Sequence, residues 1–357
     1  MTALRIPQEL RARIAAALLG WYDACARDLP WRVAPREHAR GERPDPWRVL
    51  LSEFMLQQTT AKAVAPRFET FIARWPSVAA FAAAQLDDVL AAWAGLGYYA
   101  RARNLHRTAS EIAVRGFPST EEGLQALPGV GAYTAAAVAA IAFDAPVVPV
   151  DGNIARVLAR LFAVEAPPTH LADLAASIRP AARFGDFAQA LMDLGATVCT
   201  PRTPRCETCP IAFACAAGRA GEALSFPRRT PKPQRPVRYG AVLARFNRRG
   251  EVMLERRPAE GLLGGMLGLP GTAWTETPFD RGSFEAAARA GRVKHAFTHF
   301  RLELDVFVVR RSERRAKGVW ADPATAALPT VMRKALNLAL AASRATGHAP
   351  VRWSSVQ

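Results

Sequence analysis

The sequence has no long hydrophobic run. No uninterrupted apolar stretch among its 357 residues reaches the roughly 18 residues that a membrane span needs. Near the N-terminus Ile14, Leu18 and Tyr22 recur at helical spacing and Asp23 interrupts the apolar stretch, which argues against a signal peptide. We therefore expect a cytoplasmic protein with no membrane partner.

Cysteine and acidic residues are also scarce. Four of the 5 cysteines lie between 199 and 215, which does not suit the disulfide framework of a secreted protein; Cys25, on an apolar helical face, is expected in the core. The 31 acidic residues face 47 lysines and arginines, so the net charge is +16. This balance favours a polyanion as partner, nucleic acid before an acidic membrane surface. A GC-rich genome that inflates arginine is the plainer explanation.

The strand-like alternation of β-branched residues is nearly absent from residues 1–224. Apolar residues instead recur three and four apart in eight stretches, 47–59, 61–75, 86–93, 101–114, 134–143, 154–163, 171–182 and 187–195. This pattern predicts an all-α domain over 1–224. Residues 225–238, rich in proline and arginine, are predicted to form an extended basic linker.

The hydrophobic period changes after the linker and predicts an α+β domain over 239–350. The segments GAVLARF and EVMLERR, separated by NRRG, suggest a hairpin. Residues 301–309 predict a half-buried strand, with Leu302, Leu304, Val306 and Val308 on one face and Glu303, Asp305 and Phe307 on the other. A helix with Met332, Leu336, Ala339 and Leu340 on one face is predicted near the end.

The most specific local pattern is a run of four cysteines, Cys199-x6-Cys206-x2-Cys209-x5-Cys215. Four thiolates so close in sequence can hold one metal centre. Structural zinc sites usually pair two CxxC turns, whereas uneven spacing with a single CxxC favours a cubane [4Fe–4S] cluster. Arg202 and Arg205 lie within the run and could face phosphates, unless they are simply solvated.

A short loop, Leu127-Pro-Gly129-Val-Gly131, precedes an alanine-rich helix. Its glycines permit a close approach of the backbone, and the helix start offers unpaired N–H groups to a phosphate. Together with the basic charge, this predicts a helix-hairpin-helix that binds a nucleic-acid backbone. A tight turn between two helices would use the same residues.

Two acids are candidates for chemistry. Glu53 lies at the edge of an apolar helical stripe, where partial burial would raise its pKa and suit a general acid; this segment alone favours a surface glutamate. Asp151 precedes a helix and could be an N-cap, a catalytic carboxylate or both. Tyr98 and Tyr99 precede an Arg-x-Arg helix and suggest either a wedge for a base stack or a buried pair.

These segments together resemble the MutY type of adenine DNA glycosylase, within the helix-hairpin-helix, endonuclease III superfamily. The resemblance rests, besides the cysteine run, on the segments LSEFMLQQTT, WAGLGYYARARNLH, LPGVGAYTAAAVAAIAF, VDGNIARVLAR and FAQALMDLGATVC and, in the second domain, on LERRPAEGLLGGMLGLPG and HAFTHFRLELDVFVV. It implies a monomer that removes adenine opposite 8-oxoguanine or guanine from duplex DNA in the nucleoid. The second domain resembles a Nudix-like module without the glutamate-rich helix of active Nudix hydrolases.

The resemblance also implies roles for individual residues. Glu53 would protonate adenine and then assist water, Asp151 would stabilise the sugar cation, and Asn153 would support Asp151. Tyr133 stands where lyase relatives have a lysine, which implies base removal without strand cleavage. DNA would contact Gln57, Gln58, the wedge Tyr98, Leu127, Gly129 and Gly131, while Phe297, Thr298 and His299 would inspect 8-oxoguanine. The family pattern has serine where Thr298 stands.

Two other functions remain open at this stage. A thymine-glycol lyase of the same superfamily would need a lysine nucleophile, and Tyr133 argues against it. A non-catalytic DNA-binding protein would use the hairpin for docking and the cluster as a staple. The segment 33–46, longer than the resemblance suggests, is expected to be a flexible basic loop.

Overall fold

The computed structural model describes residues 6–165, 168–228, 234–258, 261–278, 284, 287–310 and 318–345. The chain divides into two compact units, one of Met1–Gln85 and Arg101–Pro231 and the other of Leu86–Ala100 and Lys232–Gln357. Residues 229–233 of the predicted linker and 346–350 of the predicted second domain lie outside the described residues. Within the described part, no helix is long and apolar enough to cross a bilayer.

The first unit is helical, as its apolar spacing predicts. Its helices are α1 Gln8–Cys25, α2 Pro35–His38, α3 Pro46–Leu56, α4 Ala61–Arg74, α5 Val78–Ala82, α7 Ala100–Arg115, α8 Glu121–Gln125, α9 Ala132–Phe143, α10 Gly152–Phe162, α11 Pro168–Ser177, α12 Phe184–Thr197 and α13 Ala216–Arg219. Helix α6, Leu86–Ala92, belongs to the second unit, although in sequence it lies between helices of the first.

Helix α9 forms the centre of the helical core. Its residues from Thr134 to Ile141 are all buried, and the helix packs against α3, α8 and α12. Small side chains allow this close packing: a Cβ at Gly185 of α12 would lie 2.6 Å from the carbonyl oxygen of Ala140. The alanine-rich sequence therefore makes α9 the helix around which the others are arranged.

Two expectations about the first unit are wrong. Cys25 is exposed, because it is the last residue of α1, beyond the buried face formed by Ile14, Leu18 and Tyr22. The segment 33–46 contains helix α2 and is tied to the core, since Nδ1 of His38 lies 3.1 Å from a carboxylate oxygen of the buried Asp186. Its three arginines are balanced by two glutamates and an aspartate, so the segment is not basic overall.

The second unit contains a six-stranded sheet and helix α14, Thr330–Ala345. The strands are β1 Val237–Phe246, β2 Val252–Arg256, β3 Leu267–Gly268, β4 Ala288–Ala296, β5 Arg301–Arg310 and β6 Val319–Ala321, in the order β3-β2-β1-β5-β4 with β6 paired to β2. Strands β1 and β2 form the predicted antiparallel hairpin, whereas β1 and β5 are parallel. Met332, Leu336 and Ala339 of α14 pack on the sheet, as predicted.

Strand β5 is buried on both faces over part of its length, so the half-buried prediction is wrong there. Leu302, Leu304, Val306 and Val308 join the core under α14, but Phe307 is also buried in a second cluster. Phe284 stacks on Phe307 with ring centroids 5.1 Å apart. Covering this face removes the polar side that simple alternation predicts.

The second unit also includes the segment Leu86–Ala100, which the predicted boundary at 225–238 leaves in the first domain. Two contacts connect the segment to the sheet. Asp87 forms an ion pair with Arg256 at 2.9 Å, and the hydroxyl groups of Tyr98 and Thr298 are in contact. These long-range contacts could not be read from the sequence because they join residues far apart in the chain.

Candidate active site and cysteine centre

Glu53 is buried, contrary to the surface position that its segment favours. It lies on α3, which begins where Oδ1 of Asp45 accepts a hydrogen bond from the Trp47 N–H at 2.9 Å and Pro46 takes the first helical position. The side chain is 5% exposed. The apolar stripe of α3 and the neighbouring helix α9 together cover it, and a single helical wheel cannot represent that second surface.

The environment of Glu53 gives the carboxyl a pKa suited to proton transfer. The pKa of Glu53 is raised to about 7, and burial is the largest cause. The negative charge of Asp151 also raises the pKa, whereas a hydrogen bond from Tyr133 and the positive charge of Arg32 lower it. Burial thus outweighs the hydrogen bond and the cation. A carboxyl with a pKa near 7 can be protonated at the start of a reaction and ionised after it.

Tyr133 is the second residue of α9 and its hydroxyl donates a hydrogen bond to Glu53. Burial raises the pKa of Tyr133 well above its usual value, and the charges of Glu53 and Asp151 raise it further. The phenol therefore stays protonated. It holds the Glu53 carboxyl in place, and it offers no amine that could form a Schiff base.

Asp151 is both an N-cap and a member of the site. Its Oδ1 accepts hydrogen bonds from the backbone N–H groups of Asn153 at 2.9 Å and Ile154 at 2.7 Å, at the start of α10. Its Oδ2 accepts a third from Nδ2 of Asn153 at 3.0 Å. These donors fix the carboxylate beside Glu53, so capping and participation in the site coexist.

A cavity of about 690 Å³ brings these residues together. Its walls include Glu53, Tyr133, Asp151 and Asn153, together with Gln57 and Gln58 at the end of α3. Gln57 is half-buried and donates from Nε2 to Thr134 Oγ1 at 3.4 Å, whereas Gln58 is exposed with a left-handed φ of 58°. A non-glycine residue in that conformation is strained and commonly found at functional sites.

Sequence reasoning misses one wall of this cavity, formed by Arg27, Leu29, Trp31, Arg32 and Gln189. The buried Asp193 holds it in place through ion pairs with Arg27 at 2.6 Å and Arg32 at 2.8 Å. No local signal identifies this wall, because the partners lie some 160 residues apart. An acid in the middle of the apolar helix 187–195 was the one available hint.

A chain of hydrogen bonds links the Asp151 site to the cysteine run. Arg156 donates from Nη2 to Asn153 Oδ1 at 2.9 Å and to the Gly195 carbonyl at 2.7 Å. Its Nε donates to the carbonyl oxygen of Cys199 at 2.8 Å. Asn153, which donates a hydrogen bond to Asp151, is therefore itself held by Arg156, whose side chain also contacts Cys199.

The four cysteines surround one cavity of about 210 Å³ with mostly apolar walls. N–H groups point at three of the four sulfurs: Arg160 Nη1 donates to Cys199 Sγ and the Gly218 N–H to Cys215 Sγ, both at 3.3 Å, and the Ile211 N–H donates to Cys209. Burial raises the pKa of Cys209 to about 11 and also raises the pKa of Cys215, so these two thiols would lose their protons readily only beside a strongly positive group. Within the described residues, no three His, Cys, Asp or Glu side chains form the ligand set of a single ion.

The predicted hairpin is present between α8 and α9. Leu127 is buried, whereas Gly129 and Gly131 are exposed. Gly129 has a φ of 75°, and a Cβ there would lie 2.5 Å from Asn104, so glycine is required. Gly131 is the N-cap of α9, with open space where a side chain would stand.

Arg202 and Arg205 are exposed on the cysteine loop, where Arg205 also donates to the Thr197 carbonyl at 2.7 Å.

In the second unit, the residues predicted to inspect the lesion form the turn between β4 and β5. Phe297 is half-buried, while Thr298 and His299 are exposed. The turn is closed by a hydrogen bond from the Phe297 N–H to the Phe300 carbonyl at 2.9 Å. Tyr98, 50% exposed and with a left-handed φ of 47°, contacts Thr298. Tyr99 is buried, so only one of the paired tyrosines is available as a wedge.

Comparison with known proteins defines the class of the chain. Residues 51–177 match the HhH-GPD superfamily of base excision DNA repair proteins, and residues 241–338 match the NUDIX domain. A solved structure of a thermostable thymine-DNA glycosylase is 28% identical, with 59% of this chain and 98% of that chain covered and a TM-score of 0.53. The fold is thus a helix-hairpin-helix glycosylase fold followed by a Nudix-like domain, as the sequence predicts.

Curated relatives define the family. The chain is 43% identical over 232 residues to the adenine DNA glycosylase of Mycobacterium tuberculosis, with 62% of this chain and 72% of the relative covered. The chain belongs to the MutY family of adenine DNA glycosylases. It is 46% identical over 210 residues to the adenine DNA glycosylase of Mus musculus, with 56% of this chain covered. It spans only about two fifths of the length of that mouse relative, 41%.

Proposed function

We propose that this protein removes adenine from duplex DNA where the base is mispaired with 8-oxoguanine or guanine, acting as a monomer in the nucleoid. The observation that carries the proposal is the buried Glu53, hydrogen-bonded to Tyr133, in one cavity of about 690 Å³ that Asp151 also lines. The space accommodates a base taken out of the helix. Flipping costs a few kcal/mol and is easier at a mismatch.

The proposed reaction divides between the two carboxyl groups. Protonated Glu53 donates its proton to N7 of adenine, so that the C1′–N9 bond can break with its electron pair passing to a neutral leaving base. The sugar left behind carries positive charge, which the nearby carboxylate of Asp151 stabilises, as carboxylates do in glycoside hydrolysis. Ionised Glu53 then accepts a proton from the water that attacks C1′, giving adenine and an abasic site.

Tyr133 makes this a glycosylase without lyase activity. A lysine at the position would attack C1′ and form a Schiff base, which permits strand cleavage. The phenol of Tyr133 instead donates its hydrogen bond to Glu53. The strand is therefore expected to stay intact after adenine leaves.

The DNA and lesion contacts follow from exposed positions. The backbone N–H groups near Gly129 and Gly131 suit phosphate binding, while buried Leu127 acts through its place in the hairpin. Gln58 and Tyr98 have a left-handed backbone and exposed side chains suited to inserting into a duplex. Thr298 and His299 supply hydrogen-bonding groups for the base opposite the adenine, with the threonine hydroxyl in the role of the serine of the family pattern.

We also propose a [4Fe–4S] cluster on Cys199, Cys206, Cys209 and Cys215. The four thiols surround a space, which suits a cube with one cysteine at each iron better than a single zinc ion. When bound, the cluster would cross-link the loop covalently. The chain itself then contributes the exposed side chains of Arg202 and Arg205 as cations for phosphate.

The deciding experiment is single-turnover excision on a duplex with one adenine opposite 8-oxoguanine, analysed with and without alkali. We expect strand breaks only after alkali, because base removal alone leaves an alkali-labile site. Breaks without alkali, together with cross-linking by borohydride, would indicate a lyase and contradict the role given to Tyr133.

Glu53→Gln separates catalysis from binding. The amide keeps the size of the side chain but has no proton to donate, so we expect excision to fall by at least about 100-fold while duplex affinity is retained. Unchanged excision would remove Glu53 from the mechanism. No adenine release by the wild-type protein would leave a DNA-binding protein.

A further inference from the structure

Trp274 packs closely on strand β1 of the sheet in the second unit. Its ring covers Gly240 of β1 so closely that a Cβ at Gly240 would lie 2.6 Å from Trp274 Cδ1. Beside it, Tyr239 and Thr275 exchange two backbone hydrogen bonds, of 2.7 and 3.0 Å. The bare backbone of Gly240 and this short antiparallel bridge together fix the indole.

The indole contacts the two phenylalanines that flank the exposed turn between β4 and β5. Its centroid is 5.7 Å from that of Phe297 and 6.4 Å from that of Phe300, and the two phenylalanine rings are themselves 4.9 Å apart. Thr298 and His299 lie between these phenylalanines in sequence and are exposed. The three rings form a small aromatic cluster that joins the turn to the core.

Two arginines complete this cluster. The guanidinium of Arg257 lies 4.9 Å from the centroid of Trp274, and that of Arg238 lies 4.7 Å from the centroid of Phe300. Cations over aromatic faces are attractive and hold the rings in their orientations. The aromatic cluster and the two arginines therefore hold the turn between β4 and β5 through Phe297 and Phe300, while Thr298 and His299 stay exposed.

We propose that Trp274, seated on Gly240, is a positioning residue that holds Phe297 and Phe300 so that Thr298 and His299 are presented in one conformation to the base opposite the adenine. The inference rests on the proposed function, in which this turn inspects 8-oxoguanine. Trp274 does not itself contact the DNA in this role. Its effect is to reduce the ordering cost of the turn when the lesion binds.

The activity test compares Trp274→Leu and Trp274→Phe with the wild-type full-length protein. Excision is measured for adenine opposite 8-oxoguanine and opposite guanine. We expect Trp274→Leu to reduce the preference for 8-oxoguanine about tenfold, through KM for the 8-oxoguanine duplex, with little change in kcat. Trp274→Phe retains an aromatic contact and should restore most of the preference.

Trp320→Leu is the matched control. Trp320 lies on β6 of the same sheet, opposite Met253 of β2, and is also partly buried. The substitution removes the same side chain without touching the aromatic cluster. A loss of preference equal to that of Trp274→Leu would show a general weakening of the unit and would overturn the proposal.

Hydrogen exchange separates the proposal from the function on which it rests. The Phe297 amide, bonded to the Phe300 carbonyl, should exchange several-fold faster in Trp274→Leu than in wild type, and not in Trp320→Leu. If the Phe297 amide exchanges at the wild-type rate in Trp274→Leu, the positioning role is overturned. It is also overturned if exchange is faster but the preference for 8-oxoguanine over guanine is unchanged. If wild type shows no preference for 8-oxoguanine, lesion reading by the turn fails, and exchange alone decides whether Trp274 orders it.

Discussion

Glu53 illustrates a conflict between stability and chemistry at a single residue. In the proposed reaction this carboxyl gives up its proton, yet it is placed where its charged form is poorly solvated. Its pKa rises from 4.5 to about 7 on folding. The folded protein therefore holds this proton more tightly than the unfolded chain, and some folding free energy is lost when the group ionises.

Replacing Glu53 with glutamine should stabilise the protein at alkaline pH. Because the folded pKa is raised, the stability associated with this group is fully present below about pH 4.5 and is lost as pH rises through 7. A change of pKa of this size corresponds to at most about 3 to 4 kcal/mol. We expect the free energy of unfolding of Glu53→Gln to exceed that of wild type at pH ~8 and the difference to shrink near pH ~5. A difference independent of pH would contradict the raised pKa.

Tyr133→Phe should shift the pH dependence of excision. The hydrogen bond from the phenol stabilises ionised Glu53 and lowers its pKa, so removing it raises that pKa. A general acid must start protonated, so wild-type kcat/KM should decrease as pH rises through about 7. In Tyr133→Phe the decrease should come at higher pH. Single-turnover rates across this range provide the measurement, and a shift to lower pH would reverse the role assigned to the phenol.

At the scale of elements, α12 organises the candidate active-site cavity without supplying either of the two proposed catalytic acids. Asp193 holds the arginines of one wall, and Asp186 anchors the segment 33–46 through His38. Near Asp193 on the same helix, Gly195 lets Asn153 approach closely. Asp186, Asp193 and Gly195 of α12 thus determine where side chains from other elements lie.

Gly195→Ala should disturb the support of Asp151. A Cβ at Gly195 would lie 2.7 Å from the Asn153 Cβ and 3.1 Å from its backbone, so Asn153 must move together with its hydrogen bond to Asp151. We expect excision to decrease by at least about tenfold, with a loss of about 1–3 kcal/mol in stability.

Gly20→Ala provides the control for this change. Gly20 lies in α1, and nothing lies within 4 Å of the position that an alanine Cβ would take there. Alanine should therefore raise helix stability slightly, by up to about 1 kcal/mol, and excision should not change. Equal rates for Gly195→Ala and wild type would mean that the contact between α12 and Asn153 does not matter for the reaction.

For the whole molecule, the charge of +16 makes DNA affinity strongly dependent on salt. Each phosphate neutralised by lysine or arginine releases condensed counterions, so the logarithm of affinity falls linearly with the logarithm of salt concentration. With six or more such contacts we expect affinity to fall at least about 1000-fold between roughly 50 and 200 mM salt. The measurement is duplex binding by Glu53→Gln, in which we expect excision to be too slow to disturb the binding equilibrium. If duplex affinity did not change with salt concentration, the positive charge would be only a solvated surface and would not contact phosphates.

The sequence predicts those parts of the molecule that depend on near neighbours. Helical spacing locates α3, α9 and α10, and the capping role of Asp151 follows from its position before a helix. Residues whose environment comes from distant segments are missed. Glu53 is covered by α9, and Arg27 and Arg32 depend on Asp193. A periodicity reports which face of one element is apolar and says nothing of what covers the other face.

The parallel pairing of β1 with β5 has a consequence for how the protein is made. Val237 pairs with Arg301, so the first strand of the second unit leaves the ribosome well before its parallel partner exists. Until β5 is synthesised, one edge of β1 presents unpaired backbone groups and apolar side chains to other nascent chains. Slow translation between these strands would prolong that exposure, and the yield of folded protein would then depend on chaperones.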